Sequence, residues 1–98
     1  MIASFKDRSS LRFFEEGKHS KLPQHLWKRA LILLDIMHAV DSLDDLKVKG
    51  FPPDLRLHKL KGDRSGTYAI DIKKTSGWRI TFLFEKGFFE NAKIENYH

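Results

Sequence analysis

Residues 78–97 read WRITFLFEKGFFENAKIENY, and this stretch decides the fold. Trp78, Ile80, Phe82 and Phe84 alternate with Arg79, Thr81, Leu83 and Glu85, the period-two pattern of a strand with one buried face. Lys86-Gly87 has the chemistry of a tight hairpin turn. Phe88 to Tyr97 then read as a returning strand, and strands joined by so short a turn pair antiparallel. Parity decides where Arg79 goes. With the aromatic and aliphatic residues turned to the core, Arg79 points to the other side of the sheet.

Working upstream, Tyr68, Ile70 and Ile72 alternate with Ala69, Asp71 and Lys73, and Leu55, Leu57 and Lys59 with Arg56, His58 and Leu60. Both runs predict strands. Lys61–Gly66 and Lys74–Gly77 have turn composition. The period changes before Asp41–Pro53, a break marked by acidic residues, Gly50, Pro52 and Pro53. Ahead of it, Leu26, Ala30, Leu33, Leu34, Met37 and Val40 recur at offsets of three and four, which predicts an amphipathic helix entered through Pro23. A shorter helix is predicted to start with Ser9 or Ser10 as its cap, to carry Leu11, Phe13 and Phe14, and to stop at Gly17. Met1 to Lys6 fit a short strand. The fold class is therefore α+β, with two N-terminal helices packed on one face of a mainly antiparallel β-sheet, in a single domain over residues 1–98.

Composition narrows the function. The chain has 98 residues, a formal charge of +5 and no cysteine. Disulfides, thiolate zinc sites and cysteine nucleophiles are excluded. No Gly-rich phosphate loop or His-Glu-x-x-His motif occurs, and the five histidines are not at metal-ligand spacings, so neither a metal nor a cofactor is expected. The apolar run Ala30–Met37 is interrupted by Asp35 and is too short for a bilayer, and the first residues lack a signal-peptide layout. The expectation is a soluble cytoplasmic protein with no membrane role. The positive charge favours polyanionic partners.

Two segments carry candidate chemistry. Arg56-Leu-His-Lys-Leu-Lys-Gly-Asp-Arg64 concentrates cations around a histidine. Such a strip suits phosphate binding, but on the residues alone the favoured reading is a solvated edge strand whose lysines block aggregation. The second segment, Asn96-Tyr97-His98, sets an amide, a phenol and an imidazole after a predicted strand. Either it is an ordinary tail, or its groups are fixed by the sheet for hydrogen bonding and proton transfer.

The run Arg56-Leu-His58-x-Leu60-Lys61-Gly62-Asp63-Arg64, followed by Gly77-Trp78-Arg79-Ile80-Thr81-Phe82 and by a terminal Tyr97-His98, resembles the HigB-type toxins. These are the plasmid maintenance system killer proteins of the RelE-like superfamily. The opening Met-Ile-x-Ser-Phe and the helix pair agree, so the resemblance covers essentially the whole chain.

The resemblance implies the toxin of a type II toxin–antitoxin pair, a ribosome-dependent endoribonuclease (mRNA interferase) that cuts mRNA in the ribosomal A site and inhibits translation. Its partners would be the ribosome with its mRNA and a HigA-like helix-turn-helix antitoxin. Operator DNA would be bound only through the antitoxin complex. The implied reaction is a metal-independent transesterification by the ribose 2′-hydroxyl. By position in the family motifs, His58, Lys61, Arg79, Asn96, Tyr97 and His98 fall at the active site. Histidine titrates near neutrality, with a reference pKa of ~6.5, so His58 and His98 are assigned to proton transfer. Lys61 and Arg79 are assigned to phosphate charge, and Tyr97 to stacking on a base or orienting the phosphate. Arg56, Lys59 and Arg64 are expected as RNA-backbone contacts. The family often ends in Asp-Tyr-His, whereas this chain has Asn96, which neither accepts a proton nor carries charge. That departure keeps a second reading open, a catalytically weak toxin fold that acts with its antitoxin as a binding or co-repressor module.

Overall fold

The computed structural model describes residues 1–48, 57–64 and 66–96. Three helices, α1 (Arg8–Glu16), α2 (Trp27–Ala39) and α3 (Leu43–Val48), precede strands β1 (Leu57–Lys59), β2 (Tyr68–Asp71), β3 (Trp78–Glu85) and β4 (Phe88–Asn96). The strands form one antiparallel sheet in the order β1-β2-β3-β4. The α+β class, the helical first half and the meandering sheet are as the sequence predicts.

Helix α2 presents Ala30, Leu33, Leu34 and Met37 to the sheet, with Leu26 and Val40 at its ends, and all six are buried. The 3.6-residue period dictates this stripe. Against it lie Ile70, Ile80, Phe82, Phe89 and Ile94 from one sheet face, together with Phe13 of α1. Phe82 meets Phe89 edge-on at 5.1 Å between centroids and Tyr68 face-on at 5.8 Å. The hairpin turn is Lys86-Gly87, both at positive φ (50° and 88°). Two such residues form the turn whose twist matches that of the flanking strands.

The strand pairing contains one irregularity. Thr81 faces Lys93 and Leu83 faces Glu90, so β4 spends one more residue than β3 between these pairs. Asn91, at φ 53°, lies in this bulge. The extra residue reverses side-chain parity, so Phe89 before it and Ala92 and Ile94 after it are all buried toward the helices.

Residues 1–6 run parallel to β4 as its outer neighbour, with bridges at Ile2–Phe89 and Phe5–Ala92. Beyond them α1 takes over the edge, where the Ile94 N–H donates to the buried Ser10 Oγ at 2.9 Å. The edge donors of β4 are thus met by a strand segment and then by a hydroxyl.

Four details depart from the sequence reading. The cap of α1 is Asp7, whose carboxylate accepts from Ser10 N at 2.9 Å, because Ser10 is spent on β4. Leu11, expected on the apolar side of α1, is 40 % exposed. The break at Asp41–Pro53 contains α3, capped by Ser42 Oγ on Asp45 N and anchored by fully buried Leu46. Burial also extends to the sheet face away from the helices, where Ala69, Asp71 and Thr81 are covered. Gly50, Pro52, Pro53, Leu55 and Arg56 lie outside the described residues.

Ser10→Ala orphans the Ile94 N–H and is expected to cost about 1–3 kcal/mol in urea unfolding. Ser9→Ala, at an exposed position, should stay within about 0.5 kcal/mol. Equal losses from the two would refute the assignment of Ser10 to the strand edge.

Candidate active site and its surroundings

The sheet face away from the helices is organised by two ladder rows. One row runs His58–Ala69–Thr81–Lys93, and the next runs Asp71–Arg79–Glu95. Side chains on one row share a face, so His58 and Arg79 stand on the same side, as parity predicts for Arg79. Their backbones are two strands and two residues apart, about 10 Å sideways and about 7 Å along the strand. That separation suits long side chains converging on a group held between them. Ala69, the small residue beside His58, leaves the intervening floor low.

The turn after β1 supplies the other cations. A short 3-10 segment, Gly62–Arg64, follows Lys61. It is held by Leu60 N donating to Thr67 O at 2.8 Å and by Thr67 N donating to Arg64 O at 3.0 Å. Gly62 sits at φ 73°, a conformation that costs a residue with a Cβ, and nothing crowds its Cα. From this turn the Arg64 side chain crosses the sheet to an ion pair with Glu95 on β4. Ala69 and Thr81 are buried on this same face, the one the helices leave open. The Glu95 carboxylate also takes Lys93 Nζ at 3.8 Å.

The result is a cleft of about 640 Å³ lined by His58, Lys59, Leu60, Lys61, Asp63, Arg64 and Arg79. It brings together His58, Lys61 and Arg79 of the predicted catalytic set and Lys59 and Arg64 of the predicted RNA contacts. The Lys59 backbone borders the cleft, but its side chain turns to the other face, the one Tyr68 shares with Phe82, where the ammonium lies 5.4 Å from the Tyr68 ring centroid, a cation–π contact at the sheet edge. Asn96 is not among them. It pairs with Trp78 and shares the parity of Ile94, so it belongs to the opposite face. Arg56, Tyr97 and His98 lie outside the described residues. Chemically, the cleft offers an imidazole and several cations to a phosphodiester, the set needed for proton transfer and for charge on a phosphorane. Among the described residues no group of three or more His, Cys, Asp or Glu is placed to hold a metal ion, and no helix is long and apolar enough to cross a membrane.

Two participants escaped the sequence reading. Glu95, which organises Arg64 and Lys93, looks like one more strand carboxylate; only the bulge decides its face. His19, in the α1–α2 loop, packs edge-on against Phe13 and Trp78. Its Nδ1 accepts from Lys21 N at 3.1 Å and from Leu22 N at 3.0 Å. Burial pushes the His19 imidazolium pKa down, partly offset by Asp7. No local pattern around His19 marks it.

The lowered His19 pKa has a definite sign. The unfolded chain binds this proton below about pH 6.5 while the folded chain still resists it. Stability contributed by neutral His19 is therefore present above that pH and is lost as pH falls through the lower folded value. Protonation would also break both bonds to Nδ1. Urea midpoints should drop between about pH 7.5 and about pH 5.5, and His19→Gln should flatten the drop. An unchanged slope in the variant would remove His19 as its source.

Comparisons with known proteins bear on the family. The family model described as RelE-like toxin of type II toxin-antitoxin system HigB matches residues 3–98. Endoribonuclease HigB of Proteus vulgaris is 33 % identical over 98 residues, covering all of both chains. An uncharacterized protein of Haemophilus influenzae is 29 % identical over 93 residues, covering 94 % of this chain and 82 % of its own. The chain belongs to the HigB-like family of RelE-like toxins from type II toxin–antitoxin systems.

Proposed function

We propose that this toxin is an endoribonuclease that cuts mRNA on the ribosome, and the observation that carries the reading is the cleft joining His58, Lys61, Arg64 and Arg79. The ribose 2′-oxygen attacks the adjacent phosphorus as its proton is removed. The P–O5′ bond breaks as the 5′-oxygen gains a proton, leaving a 2′,3′-cyclic phosphate and a 5′-hydroxyl. Atoms balance with one proton taken and one returned, so two titratable groups suffice. His58 is one, and His98 is proposed as the other. Lys61 and Arg79 hold the charge that grows on the non-bridging oxygens, and Arg79 has the fork to do so bidentately. Tyr97 is proposed to orient the substrate. Arg64 and Arg56 are proposed to supply sequence-independent backbone contacts in the cleft, and Lys59 to add one from the sheet edge beside Tyr68.

An open cleft with few fixed groups positions a free RNA poorly. Alignment of the attacking oxygen, leaving oxygen and acid is worth several orders of magnitude in rate, and the ribosome holding its codon would provide it. The antitoxin implied by the family is proposed to be a HigA-like helix-turn-helix protein, through which the pair reaches operator DNA. The site of action is then the cytoplasm.

Primer extension on programmed ribosomes tests the reading. Wild-type protein should give codon-spaced cuts. His58→Ala should lower the cleavage rate by about 10²–10⁴-fold, and Arg79→Lys, which keeps charge but loses the fork, by about 10²–10³-fold. If the wild type leaves the message intact yet binds its antitoxin and operator, the co-repressor reading replaces this one.

A further inference from the structure

A second cleft, of about 280 Å³, opens at the end of β4 on the side of the sheet that carries Trp78, and the cleavage chemistry uses none of its aromatic walls. Trp78 at the start of β3 is half-buried there and meets His19 edge-to-face, centroids 6.3 Å apart and rings at 77°. His19 is locked by the two backbone donors on Nδ1, so in the neutral ring the proton sits on Nε2 and that nitrogen is a donor. Lys21 and Lys93 line the same cleft. Its two carboxylates are already engaged, Asp7 on the Ser10 N–H and Glu95 between Arg64 and Lys93.

The two clefts are neighbours. Glu95 lines this one, Arg64 lines the His58 cleft, and their ion pair forms the wall between them. An RNA strand that crosses this ion pair passes from one cleft to the other.

We propose that the Trp78–His19 cleft is a subsite for one unpaired nucleotide of the RNA, its base stacked on the Trp78 indole and its phosphate held by Lys21 and Lys93. This rests on the RNA-cleaving reading of the neighbouring cleft. Indole offers a π-face that any base can use, while neutral His19 Nε2–H is suited to an acceptor on a base edge. Only an unstacked base can enter, which restricts the ligand to single-stranded RNA. Lys21 and Lys93 act on the backbone without regard to sequence.

The test uses the full chain and a 2′-O-methyl RNA trinucleotide, which cannot be cleaved because its attacking hydroxyl is blocked. Ring resonances of Trp78, His19 and His58 are followed by NMR during titration. The proposal expects Trp78 and His19 to shift saturably. Trp78→Leu should weaken binding about tenfold or more. Lys21→Gln, an exposed substitution that keeps the backbone bond to His19, should weaken it about threefold and reduce the salt dependence. Shifts at His58 with none at Trp78 or His19 overturn the subsite and leave the cleavage reading standing. Shifts at Trp78 and His19 without His58 support the subsite and count against the neighbouring site. No shift at any of the three rings overturns the subsite.

Discussion

The arrangement of the molecule depends on one extra residue in β4. A strict two-residue alternation from Phe89 onward would place Asn91, Lys93 and Glu95 under the helices. Burying two unpaired ions costs several kcal/mol each, far beyond what a single aromatic gains. The bulge at Asn91 removes the conflict by reversing parity once, so that Phe89, Ala92 and Ile94 all face α2. Each large apolar side chain buried in this way stabilises by roughly 1.5–3 kcal/mol. The cost is a left-handed backbone at Asn91, a residue type that tolerates it better than most. Its N–H donates to Ser4 Oγ at 2.9 Å, so the parallel N-terminal segment holds the bulge in place.

The same reversal builds the open face. Lys93 and Glu95 are delivered beside Thr81 and Arg79, and Glu95 becomes the anchor for Arg64 arriving from the turn between β1 and β2. Without interleaved carboxylates such an array would repel itself. Two like charges about 6 Å apart at an effective dielectric near 20 cost roughly 3 kcal/mol. Asp71 and Glu95 flank Arg79 in the ladder and offset that repulsion. An anion entering the cleft meets an Arg64 already held by Glu95, so the entropy of immobilising that side chain is spent in folding rather than in binding.

Much of this was legible in the sequence because it is periodic. The apolar stripe of α2, the alternation in β2 and β3 and the Lys86-Gly87 turn each follow from local chemistry, and parity along β3 is enough to turn Arg79 from the core. What escaped depends on partners distant in the chain. Ser10 reads as a helix cap, and nothing nearby reveals that residue 94 claims its hydroxyl first. The bulge is written only as an asparagine in an otherwise ordinary strand. Helix α3 is short, and its burial of Leu46 is a tertiary fact, so its residues read as a break. His19 becomes structured only when β3 brings Trp78 beside it.

Alternation at the end of β4 also changes the meaning of Asn96. Lys93 and Glu95 go to the open face, while Ile94 and Asn96 go to the side of Trp78, where Asn96 lines the cleft with His19. The family's common aspartate at this position would sit across the sheet from His58 and Arg79. Its replacement therefore withdraws no charge from beside them. It lowers the negative charge in a cleft that already contains Asp7 and Glu95 and borders Lys21 and Lys93. For an anion approaching that side, a neutral amide is the less repulsive neighbour. The departure that seems to argue for a weakened nuclease thus falls, in three dimensions, on the side of the proposed nucleotide subsite and not beside His58 and Arg79.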